Sequence, residues 1–409
     1  MKYVIILGDG MADYPIAELD GRTPLDAAVT PFMDRMASEG TLGLVDTIPQ
    51  GLLPGSDVAN LSVLGYDPEK TYSGRGPLEA ASMGLVLGPD DVAFRCNLVT
   101  LGPGEDPVMV DFTSGHISSA ESKEILADLN RELGSENIRF FPGVGYRNLM
   151  IWRSGRNAVK LTPPHDITGR SVQGYLPEGE AAGKILELMQ RSRQVLKSHP
   201  VNRRRVESGL KPANSIWLWG QGRAPNIVPL TDQYSIKGGM ISAVDLLNGI
   251  GIYAGLEIIP VEGATGYTDT NYLGKASKAL AALKELDFVF IHVEAPDEMG
   301  HEGSVAGKIR AIEDIDEKVL GTILQGIRDF HDYRVMILSD HPTPISLRTH
   351  AADPSPFAVF SSKKEENLCQ GLSFCESSAQ KSGLLISPGY HLMELFMRSW
   401  GAFVEKNHS

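Results

Sequence analysis

Short runs of apolar residues recur along the chain and predict the strands of a buried sheet. Each run is continuous rather than alternating with polar residues, which is typical of a parallel sheet covered by helices on both faces. The runs are Tyr3–Leu7 (YVIIL), Ser215–Trp219 (SIWLW), Phe288–Val293 (FVFIHV), Arg334–Leu338 (RVMIL) and Phe357–Phe360 (FAVF).

Segments with helical periodicity lie between these runs. Apolar residues recur at three- and four-residue spacing in Gly179–Leu196, Ile241–Tyr253, Lys275–Lys284 and Val305–Ile327. A strand followed by a helix, repeated along a chain, is typical of an α/β fold. The pattern therefore predicts a doubly wound, mostly parallel sheet.

The middle of the chain breaks this alternation. A helix is predicted at Ala120–Leu133, and Arg139–Trp152 (RFFPGVGYRNLMIW) is typical of a hairpin or of two strands. We interpret this region, residues 111–176, as a smaller α+β domain inserted into the larger one. The larger domain would then be discontinuous, with residues 1–110 and 177–409.

Composition and charge narrow the functional classes. The chain has 409 residues and a net charge of −13, which argues against a nucleic-acid or anionic membrane surface. A small anionic substrate stays compatible with this charge, because a bound metal can dominate the local field. No apolar run approaches the ~18 residues of a membrane span, and the N-terminal run is too short for a signal peptide. The oligomeric state stays open.

The cysteines predict the redox compartment. There are three of them, and no CxxC pair occurs. An odd number cannot close into a full disulfide set, so reduced thiols in a cytosolic protein are expected. We therefore predict a cytoplasmic protein.

Acidic and histidine side chains follow three of the predicted strands directly. Ligands in open α/β sheets lie beyond the carboxyl ends of the strands. Asp297 and His301 have the i, i+4 spacing that places two side chains on one helix face. Carboxylate and imidazole groups together can hold a divalent cation. The candidate ligands are Asp9, Asp297, His301, Asp340, His341 and His350.

A candidate nucleophile lies elsewhere in the chain. Ser56 follows a Pro-Gly turn in PGSDVANLSVLG, and the next residues have a helical pattern. A serine at a helix N-terminus lies near free backbone N–H groups and the positive end of the helix dipole. This position suits a phosphate carrier, although an ordinary N-cap serine has the same pattern.

Longer motifs resemble one enzyme family. They are PGSDVANLSVLGYDP, YSGRGPLEA, VAFRCNLVT, WLWGQG, GGMISAVDLLNGIG and HVEAPDEMGHEG, and the resemblance extends over about residues 1–360. In this length and order they resemble the archaeal-type cofactor-independent phosphoglycerate mutases of the alkaline phosphatase superfamily. The resemblance implies an alkaline phosphatase-like metal-binding domain with an inserted smaller domain.

The resemblance also implies a two-metal site. Asp297, His301 and His350 would hold one ion. The other would be held by Asp9, Asp340 and His341, with Ser56 touching or bridging it. Two divalent ions are expected, Mn²⁺ first, with Mg²⁺, Zn²⁺ or Co²⁺ as substitutes, and no 2,3-bisphosphoglycerate.

The implied reaction converts 3-phosphoglycerate into 2-phosphoglycerate. Ser56 would attack the substrate phosphorus, which yields a phosphoserine and free glycerate. The glycerate would then take the phosphoryl group back on its other hydroxyl. The inserted domain would serve as a lid that keeps water out.

Further residues are candidates for binding the substrate anion or moving its proton. Flanking glycines make Arg75 the first of the cationic candidates, and His165 or Asp166 would act as acid or base. Each cation is equally compatible with an ordinary surface position, and Asp166 with an Asx turn. The other candidates are Arg147, His116, Arg223 and Lys237.

Other functions stay open at this point. The phrases GLLPGSDVANLSVLG and LEAASMGL are close to a bacterial subgroup proposed as an alternative homoserine kinase, with the same metals and the same Ser56. No P-loop is visible for ATP. A phosphomonoesterase, a phosphopentomutase-like enzyme and a non-enzymatic metal-binding module are further alternatives.

Overall fold

The computed structural model describes residues 1–408, which form two compact units. The first contains residues 1–72 and those from Asn226 onward, and the second is Ser73–Pro225. The predicted limits of the inserted domain, 111–176, were too narrow. Strands Val92–Leu101 and Ser215–Gly222, placed outside it by the sequence analysis, pair with each other in the second unit.

The first unit is built on an eight-stranded sheet. Seven strands are parallel, and Ser355–Ser361 runs antiparallel to both of its neighbours. The predicted α/β class with a mostly parallel sheet is confirmed. In spatial order the strands are Glu257–Ile258, Gly238–Ile241, Phe288–Val293, Lys2–Gly8, Tyr333–Ser339, Ser355–Ser361, Thr41–Val45 and Leu385–Ile386.

The central strands have the burial that their continuous apolar sequence predicts. Val4–Leu7 and Phe288–Ile291 are completely buried. Apolar side chains of the flanking helices complete the core, for example from Pro31–Glu39 and Tyr272–Ala282. Burial of each such side chain contributes about 1.5–3 kcal/mol to folding, which fixes this part of the sheet as a rigid support.

Helices cover the large sheet. Val305–Ile327 is helical as predicted, with a wider turn at Ile315–Leu320. The helix predicted from Ile241 begins instead at Asp245, because Gly238–Ile241 pairs as a strand. The α-helices are Pro24–Ala27, Pro31–Glu39, Ser56–Val63, Pro68–Thr71, Leu230–Tyr234, Asp245–Tyr253, Tyr272–Ala282, Ala295–Glu302, Val305–Asp314, Gly321–Gly326, Glu376–Lys381, His391–Glu394 and Trp400–Lys406.

The second unit contains an antiparallel sheet. The predicted hairpin in 139–152 is present, and the predicted run Ser215–Trp219 is a strand of this sheet rather than of the large one. Its continuous burial comes from helices packed on the antiparallel sheet. The strands are Met109–Asp111, Val92–Leu101, Arg147–Trp152, Ile138–Val144 and Ser215–Gly222, and the α-helices are Arg75–Ser82, Ser119–Leu133, Ala182–Lys197 and Pro200–Glu207.

The cysteines and the helices are the features that bear on the predicted compartment. All three cysteines carry free thiols, with Cys96 and Cys375 buried and Cys369 exposed. Burial raises the pKa of the Cys96 thiol, which therefore stays protonated. Among residues 1–408, none of the helices combines the length and the apolar character that crossing a bilayer requires.

Candidate functional site

Three neighbouring parallel strands end at the same edge of the large sheet. Gly8, the last residue of the central strand, pairs in register with Val293 on one side and Ser339 on the other. Acidic residues follow all three strand ends, and Asp9 and Asp340 are completely buried there. This is the carboxyl edge, where ligands of open α/β sheets bind.

One group of side chains at this edge consists of Asp297, His301 and His350, called the Asp297 cluster below. Its ligand atoms lie within 4.8 Å of one another. The Nε2 atoms of His301 and His350 are 3.0 Å apart, and Nε2 of His301 is 3.2 Å from Oδ2 of Asp297. Nδ1 of His301 bonds to the carbonyl of Arg348, which leaves the Nε2 lone pair for a cation.

A second group consists of Asp9, Asp340 and His341, called the Asp9 cluster below. These ligand atoms also lie within 4.8 Å of one another. Ser56 is the first residue of the helix Ser56–Val63, as predicted. Its Oγ lies 3.3 Å from Oδ1 of Asp9 and 3.4 Å from Nε2 of His341. The structure thus brings all seven predicted residues into two neighbouring groups.

Two polar residues that the sequence analysis missed orient these groups. Asn60, one turn after Ser56, donates to Oδ2 of Asp340 at 3.0 Å and to the carbonyl of Ser56 at 2.9 Å. Thr343 donates through Oγ1 to Oδ1 of Asp297. The i, i+4 spacing from Ser56 could have indicated Asn60, but the target of Thr343 depends on the fold.

His292 and Glu294 were also missed, although they belong to the same motif as Asp297. With Asp9 they form a third group of ligand atoms within 4.8 Å. Burial lowers the pKa of His292 to about 3, helped by the charge of Lys275. Burial, followed by repulsion from Asp297, raises the pKa of Glu294 to about 8. His292 was missed because it lies inside the continuous apolar run FVFIHV, where a core residue is expected.

The electrostatics of the site fit bound cations. Burial raises the pKa of Asp9 well above its ordinary value, and repulsion from Asp340, Glu294 and Asp297 adds to this effect. Burial also opposes the charge on Asp297, but hydrogen bonds from His301 and His350 outweigh it and hold this pKa well below its ordinary value. Buried carboxylates this close are expected to need positive charge. The oxygen and nitrogen donors of the two clusters fit two divalent cations.

Gly10 lets the backbone next to Asp9 approach the helix Ala295–Glu302 closely. Its φ is +58°, and a Cβ there would lie 2.5 Å from both Oδ1 of Asp297 and Oγ1 of Thr343. We expect Gly10→Ala to lower the free energy of unfolding by about 3 kcal/mol or more and to weaken metal binding, since it adds a clash to the backbone strain.

Gly21→Ala is the matched control for this prediction. Gly21 has a φ of +80° but no atom within 4 Å of the added Cβ. Only the strain of about 1–2 kcal/mol applies there. Thermal unfolding and metal content of both variants test the prediction, and equal losses in the two variants would contradict it.

The second unit holds a separate cluster of cations. Arg75, at the start of the helix Arg75–Ser82, and Arg95 both lie against Gly220. The Arg95 guanidinium stacks on Trp219 at 4.3 Å and pairs with Glu79 at 3.1 Å. The charges of Arg75 and Arg147 act on Arg95, whose pKa is lowered mainly by burial. Arg95 was missed because it lies inside an apolar strand.

His165 belongs to this cation cluster. Its ring lies 5.2 Å from that of Trp219, and its Nε2 is 3.6 Å from Oδ1 of Asp166. Burial lowers the pKa of His165, and Arg75 and Arg95 lower it further, against the opposing charge of Asp166. The imidazole is therefore neutral near pH 7 and can accept a proton.

Three further residues were predicted as substrate contacts. Lys237 precedes the strand Gly238–Ile241, at the amino edge of the parallel sheet, so its assignment to the site was wrong. Arg223 pairs with Asp90 at 2.9 Å and with the carbonyl of Gly155. His116 is exposed in a turn, with a φ of 50° and its backbone N–H bonded to Thr113. None of these positions could be read from local sequence.

The chain is similar in sequence to known proteins. A sequence profile described as 2,3-bisphosphoglycerate-independent phosphoglycerate mutase matches residues 37–202. The probable 2,3-bisphosphoglycerate-independent phosphoglycerate mutase of Geobacter sulfurreducens is 52% identical over 399 residues, which is 97% of this chain and 100% of the relative. The enzyme of that name from Methanosarcina barkeri is 51% identical, over 98% of this chain and 100% of the relative.

Solved structures agree with these matches. The PH0037 protein of Pyrococcus horikoshii is 32% identical and superposes with a TM-score of 0.80, covering 98% of this chain and 97% of that one. The cofactor-independent phosphoglycerate mutase of Thermoplasma acidophilum is 26% identical, with a TM-score of 0.67 over 98% of this chain and 100% of that one. Identity above 50% along almost the whole length shows that this chain belongs to the family of 2,3-bisphosphoglycerate-independent phosphoglycerate mutases.

Proposed function

We propose that this protein interconverts 3-phosphoglycerate and 2-phosphoglycerate through a phosphoserine formed on Ser56. The observation that carries the proposal is the position of Ser56 Oγ, 3.3 Å from Asp9 and 3.4 Å from His341, in a chain of this family. We place the reaction in glycolysis and gluconeogenesis in the cytoplasm. The enzyme is an isomerase that needs no 2,3-bisphosphoglycerate.

Ser56 acts as the nucleophile and as the temporary phosphate carrier. It begins the helix Ser56–Val63, whose first backbone N–H groups and dipole favour a negative phosphoryl group. Attack on phosphorus forms the bond from Oγ to phosphorus and breaks the substrate P–O bond, so free glycerate leaves. Attack by the other glycerate hydroxyl reverses these bonds and restores Ser56.

The two clusters are proposed to hold two divalent cations. We assign one cation to the Asp297 cluster and one to the Asp9 cluster together with Ser56. When bound, they would lower the pKa of the serine hydroxyl and neutralise phosphoryl charge. A mixed carboxylate and imidazole set favours Mn²⁺ over Ca²⁺, with Mg²⁺, Zn²⁺ or Co²⁺ as substitutes.

The cation cluster of the second unit is proposed to bind the substrate anion. Arg75, Arg95 and Arg147 offer the guanidinium groups that recognise carboxylate and phosphate. His165, which is neutral near pH 7, would take the proton of the attacking glycerate hydroxyl. Asp166 beside it would stabilise the resulting imidazolium. The lid role of the inserted domain stays a prediction.

A coupled assay tests the proposal directly. Protein loaded with Mn²⁺ is mixed with 3-phosphoglycerate, enolase is added to consume 2-phosphoglycerate, and 2,3-bisphosphoglycerate is left out. We expect steady turnover without release of inorganic phosphate. No conversion by a protein that still holds two cations would overturn the mutase assignment.

Homoserine is not favoured as the acceptor. The relatives with about half of their residues identical to this chain are called phosphoglycerate mutases. The mutase and the homoserine kinase reactions would use the same clusters and the same Ser56. The site alone therefore does not distinguish these two functions. Phosphate transfer from ATP to homoserine, run beside the mutase assay, is expected to stay at background.

Metal affinity at the Asp297 cluster is expected to rise with pH. The hydrogen bond to Asp297 raises the pKa of His301 to about 9. A cation needs the neutral imidazole, so binding releases this proton. Below about pH 9 the apparent affinity is expected to rise about tenfold per pH unit and to level off above it. Mn²⁺ titrations between about pH 6.5 and 8.5 check this, and a constant affinity would contradict it.

A further inference from the structure

His292 is completely buried at the end of the strand Phe288–Val293 and has no part in the mechanism above. Its Nε2 lies 2.8 Å from Oδ2 of Asp9 and 3.4 Å from Oε2 of Glu294. The other oxygen of Asp9, Oδ1, lies near Ser56. His292 therefore contacts the side of the Asp9 carboxylate that is turned away from the nucleophile.

The contacts of the two ring nitrogens favour one neutral tautomer, with the hydrogen on Nε2 beside two acidic side chains. The Val244 backbone N–H donates to Oγ of Ser242 at 3.0 Å. That oxygen lies 3.2 Å from Nδ1 of His292, so the Ser242 hydroxyl can direct its hydrogen to Nδ1. A neutral imidazole carries one N–H, and an accepting Nδ1 leaves that hydrogen on Nε2. Nε2 then donates to Asp9.

This tautomer argues against a third cation among Asp9, His292 and Glu294. Their ligand atoms are close enough for one. A protonated Nε2, however, has no lone pair for coordination, and the ring has no further free nitrogen. His292 and Asp9 are better explained as a hydrogen-bonded pair than as two ligands of a further metal ion.

The backbone at His292 is also held in place. Nζ of the completely buried Lys275 donates to the His292 carbonyl at 2.7 Å. This bond and the strand pairing from Leu7 to His292 keep the imidazole at a constant distance from Asp9. A ring fixed in this way can orient the carboxylate.

We propose that His292 is a positioning residue, which holds Oδ2 of Asp9 so that Oδ1 stays directed at Ser56 and at a cation in the Asp9 cluster. The inference rests on the proposed function, because it assumes a cation there. Loss of such a partner typically weakens metal binding about 10- to 100-fold. The Asp297 cluster should keep its affinity, since the described hydrogen bonds of the His292 ring go to Asp9 and Ser242.

Mn²⁺ titration of the whole protein tests the inference, with bound and free Mn²⁺ separated by electron paramagnetic resonance. His292→Leu removes the donor, whereas His292→Gln places an amide N–H near the position of Nε2. His199→Leu is the matched control, because His199 is also buried and its Nε2 bonds to Asp128 at 3.0 Å, in the second unit. It should lose stability but bind Mn²⁺ as wild type does.

We expect wild type to bind two Mn²⁺ and His292→Leu to lose about 10- to 100-fold in affinity for one of them, with kcat falling more than KM changes. His292→Gln should recover most of this loss. Two Mn²⁺ bound to His292→Leu with wild-type affinity would overturn the inference and leave the proposed function intact. A wild-type protein that binds one Mn²⁺ would overturn both.

Ser242→Ala tests the same point if His292→Leu does not fold. This change removes the hydroxyl that sets the tautomer but leaves the ring in place. We expect weaker binding of one Mn²⁺, by about tenfold, the lower end of the range for such partners. Unchanged binding of both ions would overturn the inference.

Discussion

Replacing Ser56 with alanine is expected to abolish the phosphoenzyme and to lower kcat by about 10⁴-fold or more, as loss of a nucleophile does in other enzymes. The side chain lies between Asp9 and His341, and the other ligands of both clusters stay in place. Metal content should therefore change little. Protein quenched with acid during turnover and analysed by mass spectrometry would show whether the phosphoryl group is still carried.

Ser62→Ala is the matched control for this prediction. Ser62 lies in the same helix and is also buried, but its hydroxyl donates to the carbonyl of Thr47. Its loss should cost about 1 kcal/mol of stability and leave the phosphoenzyme intact. Turnover by Ser56→Ala near the wild-type rate would show that another group carries the phosphate.

Replacing His301 with alanine is expected to empty the Asp297 cluster and to lower kcat by at least about 100-fold. Loss of an outer partner already costs up to about 100-fold, and His301 is a proposed direct ligand. Its Nε2 lies 3.0 Å from that of His350 and 3.2 Å from Asp297, so two donors alone would remain. Metal analysis of the purified variant should give one Mn²⁺ in place of two.

His331→Ala provides the comparison for His301→Ala. His331 is exposed and precedes the strand Tyr333–Ser339 at the amino edge of the sheet. Its replacement should change neither metal content nor activity. Two Mn²⁺ per chain in His301→Ala would refute the assignment of His301 as a ligand.

Local sequence was sufficient to predict the strands and the helix start at which the site residues lie. Continuous apolar runs predicted the strands Lys2–Gly8, Phe288–Val293 and Tyr333–Ser339 to within one residue at each end. The short length of these runs and their β-branched residues favour strands over buried helices. The acids and histidines just beyond these strands, and Ser56 at its helix start, were visible for the same reason.

The same reasoning was weaker in the inserted unit. A buried strand can belong to a parallel or an antiparallel sheet, and the run Ser215–Trp219 does not distinguish them. Its true partner, Val92–Leu101, lies more than a hundred residues earlier, which moved both predicted boundaries. Pairing over such distances depends on the whole chain rather than on local preference.

The chain by itself determined which residue types stand at the strand ends, because burial and spacing are local properties. Only the tertiary structure decided that the three strands are neighbours in register, which brings Asp9 and Asp340 to the same edge. It also decided that Lys237 lies at the opposite edge, and that His292 stands behind Asp9. These positions follow from strand order and side-chain direction, which are set by packing between segments far apart in sequence.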